Sequence, residues 1–222
     1  MERTIRVTGK GRITVAPDII RVIITQSGIR DTHESAIKAS AESKQELNKG
    51  LVGIGFNKED LKTTHFNINT EYRQYNDRET GEWKKEFIGY KFTHNMKLEF
   101  SIASNMLGKV LAVVASCSDD PEFSIHYTVS DPDKAKNELL EKAVTDSKVK
   151  ASVLSNAAGV RLKEIVSIDY SWGEVNFVSN PVDTFEMGGL LRCAKMTDGI
   201  DLDIEPEDID VTDTVTVVWS IF

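Results

Sequence analysis

"IGYKFTHNMKLEFSI", residues 88–102, alternates more strictly than any other stretch of this 222-residue chain. Ile88, Tyr90, Phe92, Met96, Leu98, Phe100 and Ile102 share a face with His94, opposite Lys91, Thr93, Asn95, Lys97 and Glu99. A period of two marks a strand with one buried face. Upstream, Leu61 to Tyr75 alternates as well, with Phe66, Ile68 and Tyr72 opposite His65, Asn67, Asn69, Glu71 and Arg73. The polar turn NDRETGE, residues 76–82, joins the two runs, so together they predict a long strand hairpin. Tyr72, Tyr75, Trp83, Phe87 and Tyr90 crowd it. Most should pack across strands, while those near the tip, Tyr75 and Trp83, are candidate anchors for a partner.

Working toward the N-terminus, Asp18 to Arg30 places Ile19, Ile20, Val22, Ile23 and Ile24 on both faces, which predicts a central strand covered on both sides. Thr4 to Val15 is a further strand, interrupted at Gly9-Lys10-Gly11, where a bend or bulge is expected. The spacing of a phosphate-binding loop is absent there. After Asp18 to Arg30, Asp31 and Glu34 form an acidic variant of a capping box. The helix that follows, with Ala36, Ile37, Ala41, Leu47 and Leu51 at helical spacing, should end near Gly53 or Gly55.

Toward the C-terminus comes an apolar helix, about Ser104 to Ala115, and a short strand with Phe123, Ile125, Tyr127 and Val129 on one side. Asp131-Pro132 starts a helix that should stop at Gly159. Ala143, Ser147, Ala151 and Ser155 recur in it every four residues, and such a stripe of small side chains lets another backbone approach closely. Glu164 to Trp172 and Val211 to Phe222 alternate as strands. Residues 173–207 between them have no clean period. Phe177, Phe185, Met187, Leu190 and Leu191 are scattered through that segment, and we expect it to be functional, mobile or partner-facing.

The order is therefore β-β-α-β-β-α-β-α-β, an irregular stretch, then β, which is an α+β pattern. Two small sandwich-like halves are expected, with mixed, mainly antiparallel sheets and helices packed on one face. Residues 1–86 would form an N-terminal ββαβ unit. Residues 87–222 would form a C-terminal βαβαβ unit, with the irregular segment 173–207 and the final strand 211–222.

Several function classes are disfavoured. The formal net charge of -8 argues against a nucleic-acid surface, which needs clustered Lys and Arg. No run approaches the ~18 apolar residues of a membrane span. The opening MERTIRVTGKG carries charge where a secretory signal would be apolar, so the chain reads as cytoplasmic as written, and as exported if an upstream signal has been removed.

"DGIDLDIEPEDIDVTD", residues 198–213, holds eight acidic residues, but Pro206 and Thr212 stand where a calcium loop starting at Asp201 needs Gly and Glu. It reads as a solvated lead-in to the last strand. His33, His65, His94 and His126 have no metal-ligand spacing, and Cys117 and Cys193 belong to no CxxC motif. Of the histidines, His94 alone is expected to be buried. No catalytic, metal or cofactor residue is assigned.

VTGKGRITVAPDIIRVIITQSG near the start, LKTTHFNINTEY followed by IGYKFTHNMKLEF, NAAGVRLKEIVSI, and VTDTVTVVWSIF at the end together resemble the SIMPL-domain family over nearly the whole chain. That family includes bacterial periplasmic immunogenic proteins, proteins linked to oxidative-stress defence and an animal protein that binds a signalling kinase. The resemblance implies a two-part α+β fold, self-assembly into rings or channel-like homo-oligomers, and no established catalytic residues. The expectation is a non-enzymatic, self-assembling protein with a link to stress defence. Its contacts would involve Tyr75, Trp83, Phe177, Phe185, Met187, Leu190 and Leu191. A binding protein or enzyme using small molecules or metals, with a pocket between the halves, is the alternative, and a protein-interaction adaptor is a weaker one.

Overall fold

The computed structural model describes residues 3–76, 81–170, 177–179 and 205–222. The elements run β1 (Thr4–Val15), β2 (Ile19–Arg30), α1 (His33–Gly53), β3 (Lys62–Asn76), β4 (Trp83–Ser101), a 3-10 turn (Ile102–Ser104), α2 (Leu107–Ser116), β5 (Glu122–Thr128), α3 (Pro132–Ala157), β6 (Leu162–Asp169), β7 (Val178–Ser179) and β8 (Ile209–Ile221). One sheet is ordered β1-β8-β6 and the other β3-β4-β2-β5-β7. The β1–β8, β6–β8, β2–β4 and β3–β4 pairings are antiparallel, and the fold is α+β as expected.

The chain divides into two compact units, but not at residue 86, which lies inside β4. Of the described residues, the first unit takes in those within Met1–Asp18, Thr128–Ser179 and Pro206–Phe222, and the second those within Ile19–Tyr127 together with Glu205. Sheet pairing brings the two ends of the chain together in β1 and β8.

In the first unit β1 pairs with β8 in unbroken register from Thr4↔Ser220 to Val15↔Ile209. The bend or bulge expected at Gly9-Lys10-Gly11 does not occur. Those glycines instead let α3 sit on the strand: a Cβ on Gly9 would fall 2.0 Å from the Ala143 carbonyl oxygen, and one on Gly11 2.1 Å from that of Leu139. The small-residue stripe of α3 (Ala143, Ser147, Ala151, Ser155) is buried, as close backbone approach requires. Outward from β8, the Lys10 N–H donates to the Asp146 carboxylate at 2.7 Å, so part of this sheet edge is covered. Val7, Val215, Val217 and Trp219 fill the core beside Ala143 and Ala151. Ile13, Leu139, Ile209, Val211 and Phe177 form a second cluster. At Asp131 the side chain caps α3 through the Lys134 N–H, with Pro132 in the first turn.

β6 departs from its expected alternation. Its register with β8 shifts twice, and Ile165, Val166 and Ile168 are all exposed. Trp172 lies outside the described residues.

In the second unit β2 is interior to its sheet, yet only one of its faces is deeply buried. Ile20, Val22, Ile24 and Gln26 are buried, whereas Ile19, Arg21, Ile23 and Thr25 on the other face are half-buried. Cross-strand neighbours, with Arg21 bonded to Glu99, give that second face polar cover. The buried face packs with Met96, Leu98 and Phe100 of β4 against Leu47 and Leu51 of α1 and Val110 and Val114 of α2. Helix α1 begins one residue later than Asp31/Glu34 suggested. Thr32 is the N-cap and Ser35 completes a reciprocal capping box, because a hydroxyl at each end satisfies both free amides.

Candidate functional site

The hairpin between β3 and β4 carries the exposed aromatic residues. β2 pairs with β4 from Ile19↔Ser101 to Arg30↔Tyr90 and ends there. Gly89 marks the end: it has φ +139°, and a Cβ on it would lie 2.6 Å from the Arg30 carbonyl oxygen, so only glycine fits beside the terminus of β2. At the same point the register slips. Glu71 faces Gly89 but Tyr72 faces Phe87, leaving Ile88 as the extra residue of a bulge.

Beyond the bulge only β3 and β4 continue among the described residues, with rungs Tyr72↔Phe87, Arg73↔Glu86, Gln74↔Lys85, Tyr75↔Lys84 and Asn76↔Trp83. The bulge also changes the phase of β4. Phe87 meets Tyr90, three residues on, edge to face at 5.4 Å and meets Tyr72 across the ribbon at 5.7 Å. Strict alternation from Ile88 to Ile102 does not foresee that contact. Arg73 and Glu86 form an exposed ion pair at 2.6 Å. Trp83 is 72% exposed, Tyr72 52%, Phe87 47% and Tyr75 41%. A two-stranded ribbon is marginal by itself, so a ribbon of this kind with large rings in water is a surface suited to a partner.

Not every residue expected at contacts lies on such a surface. Phe177 is buried among Ile13, Ala135, Leu139, Ile209 and Val211, and its carbonyl accepts from the Thr128 hydroxyl at 2.6 Å. Its role is core packing, contrary to expectation, because contacts distant in sequence bury it. Phe185, Met187, Leu190, Leu191 and Cys193 lie outside the described residues.

His94 is buried, as its place in the alternation implies. Its Nδ1 is 2.9 Å from Ser40 Oγ of α1 and its Nε2 is 2.8 Å from Thr63 Oγ1 of β3. Lys44 Nζ donates to Thr63 Oγ1 at 3.0 Å. An ammonium can only donate, so the Thr63 hydroxyl accepts from Lys44. Each His94 ring nitrogen meets a hydroxyl that can donate or accept, so either neutral tautomer is satisfied between Ser40 and Thr63. Burial, and then the Lys44 ammonium, lower the His94 pKa below its usual value. Its bonded partners are hydroxyls rather than a carboxylate or thiol, which suits a structural clamp between α1 and β3. Sequence spacing held no signal for these partners, since Ser40 and Thr63 lie 54 and 31 residues away.

Cys117 is buried, and desolvation followed by the Glu46 and Asp119 charges raises its pKa to about 11. A thiol held so high is a weak nucleophile at neutral pH. Of the acidic run, residues 198–204 lie outside the described residues. Farther along, the Thr14 hydroxyl and the Arg12 guanidinium hold the Asp210 carboxyl below the usual range, with Arg12 at 2.7 Å, and Tyr170 donates to Asp213 at 3.0 Å. These carboxylates are fastened to neighbouring side chains of the first unit. No group of three or more His, Cys, Asp or Glu placed to hold a metal occurs among the described residues, and no described helix is long and apolar enough to cross a membrane.

The molecule is thus an α+β protein of two sheets and three α-helices in the described residues, with an exposed aromatic ribbon. The chain belongs to the SIMPL family, described as a protein of unknown function (DUF541), whose model matches residues 5–219. It is 27% identical to the 26 kDa periplasmic immunogenic protein of Brucella melitensis biotype 1 over 166 residues, covering 74% of this chain and 65% of the relative. The protein of the same description from Brucella abortus strain S19 is 26% identical over the same shares. The chain therefore spans about 65% of the length of these curated relatives.

Proposed function

We propose that this protein acts by self-assembly into a ring or channel-like homo-oligomer, rather than by catalysis, and that the outer rungs of the β3–β4 ribbon form a subunit contact. The observation that carries this reading is the exposure of Tyr72, Tyr75, Trp83 and Phe87 beyond the end of β2. Burying such rings against another copy would remove their apolar area from water and so stabilise the contact. The 15-residue edge strand β3 adds unpaired backbone groups that a neighbouring copy can meet. The periplasmic designation of the relatives favours an exported setting over a cytoplasmic one. A role in stress defence would then rest on the assembly and not on Cys117.

Light scattering coupled to size exclusion tests the proposal. The expected result is a discrete oligomer that dissociates when Tyr75→Ser and Trp83→Ser are combined. A strictly monomeric wild-type chain over a wide concentration range would overturn it.

A further inference from the structure

A groove of about 390 Å³ lies within the second unit, lined by Arg30 at the end of β2, one face of α1, and Ser118 and Asp119 after α2. Its charge changes sign along the helix. Lys38 comes first and forms a long, exposed ion pair with Glu42 one turn later at 3.9 Å, a contact weak enough for ligand charges to replace, and Glu46 follows a further turn on. At a rise of ~1.5 Å per residue, Lys38 and Glu46 are separated by about 12 Å along the axis.

The carboxylates toward the far end are held in place by neighbours. Glu46 accepts from the Ser118 N–H at 3.3 Å and from its hydroxyl at 2.9 Å, and Asp119 lies against the Ser43 hydroxyl. Arg30 is placed differently. Its guanidinium lies 6.0 Å from the Phe92 ring centroid, and a Cβ on Gly28 would come within 2.8 Å of that ring and 3.2 Å of the guanidinium. Among the described residues its side chain makes one hydrogen bond, from Nη1 to the Ile29 carbonyl, and no ion pair. Most of the planar fork is therefore free to bind a carboxylate.

These features select among ligands. A polyanion would meet Glu42, Glu46 and Asp119, a polyamine would leave Arg30 unanswered, and a divalent cation lacks a ligand cluster among the described residues. We propose that the groove binds a short peptide with both termini free, its carboxylate on Arg30 and Lys38 and its ammonium toward Glu42 and Glu46. An extended chain covers ~3.3–3.6 Å per residue, so a separation of about 12 Å corresponds to roughly three or four residues.

The test is titration calorimetry of the full chain with trialanine, N-acetyl-trialanine and trialanine amide. Free trialanine should bind saturably, and each blocked form should bind about tenfold more weakly or worse, the loss of one charge-assisted contact. Arg30→Gln should weaken free trialanine by a similar factor and narrow the difference between trialanine and its amide, with far-UV circular dichroism confirming the fold. No saturable binding of trialanine, or equal binding of the blocked forms, would overturn the proposal. Light scattering on the same samples keeps this result separate from the assembly state.

Discussion

Under α3, β1 offers glycine where a helix backbone arrives, and the contact between Gly9 and Ala143 leaves no room for a methyl group. On the outer rungs of the hairpin, β3 and β4 offer Tyr72, Tyr75, Trp83 and Phe87 to solvent. Both regions are antiparallel strand pairs, but one is specified by what must be absent from the strand and the other by what projects from it. The first contributes stability through close packing. The second contributes little to the fold of one chain and has large apolar area left to bury elsewhere.

Gly9→Ala should have the largest effect, because its Cβ meets backbone that cannot swing aside. A loss of about 3 kcal/mol or more is expected, seen as a lower urea midpoint. Tolerance of alanine at position 9 would break the contrast. His94 lies between these extremes, as a buried polar clamp. His94→Leu strands the Ser40 and Thr63 hydroxyls and should cost about 2 kcal/mol in urea unfolding at pH 8.

The same ring gives a pH dependence. Because the folded pKa lies below the usual 6.5, the unfolded chain binds the proton first. Its contribution is full above 6.5 and declines as pH falls from there until the folded ring protonates. The wild-type urea midpoint should therefore fall more steeply than that of His94→Leu just below pH 6.5. Equal slopes in the two proteins would remove the clamp from the account.

Ser147 Oγ is buried in the α3 stripe with no hydrogen-bond partner among the described residues. Ser147→Ala should be neutral or stabilise by about 1 kcal/mol, sharpening the view that the stripe is selected for size and not polarity. Trp83→Ser should change the stability of a single chain least, within about 0.5 kcal/mol, while altering the elution volume of any oligomer. A large drop in the urea midpoint of a monomeric sample would show that the ribbon supports the fold itself.

The parts of the fold legible in sequence are those where one local rule acts alone. The alternation around His94 predicts its burial, Asp131-Pro132 predicts the cap of α3, and the four-residue stripe predicts a close backbone neighbour. Where two rules competed, the residues misled. Gly9-Lys10-Gly11 suits a bulge as well as a close approach, and α3, lying more than 120 residues away, decides between them. For the candidate site, the aromatics of the hairpin were visible in the sequence, but Gly89 and the bulge at Ile88 set where the third strand stops and which rings meet.

What the sequence determined by itself is the α+β order, the hairpin, the cap of α3 and the buried face of β4, because periodicity and capping are encoded within a few neighbouring residues. The tertiary structure alone decided that the chain's two ends share a sheet, that Phe177 belongs to a core, that His94 is held by two hydroxyls, and that Arg30 forms no ion pair among the described residues. Those outcomes depend on residues far apart in the chain becoming neighbours, which long-range strand pairing and helix packing settle.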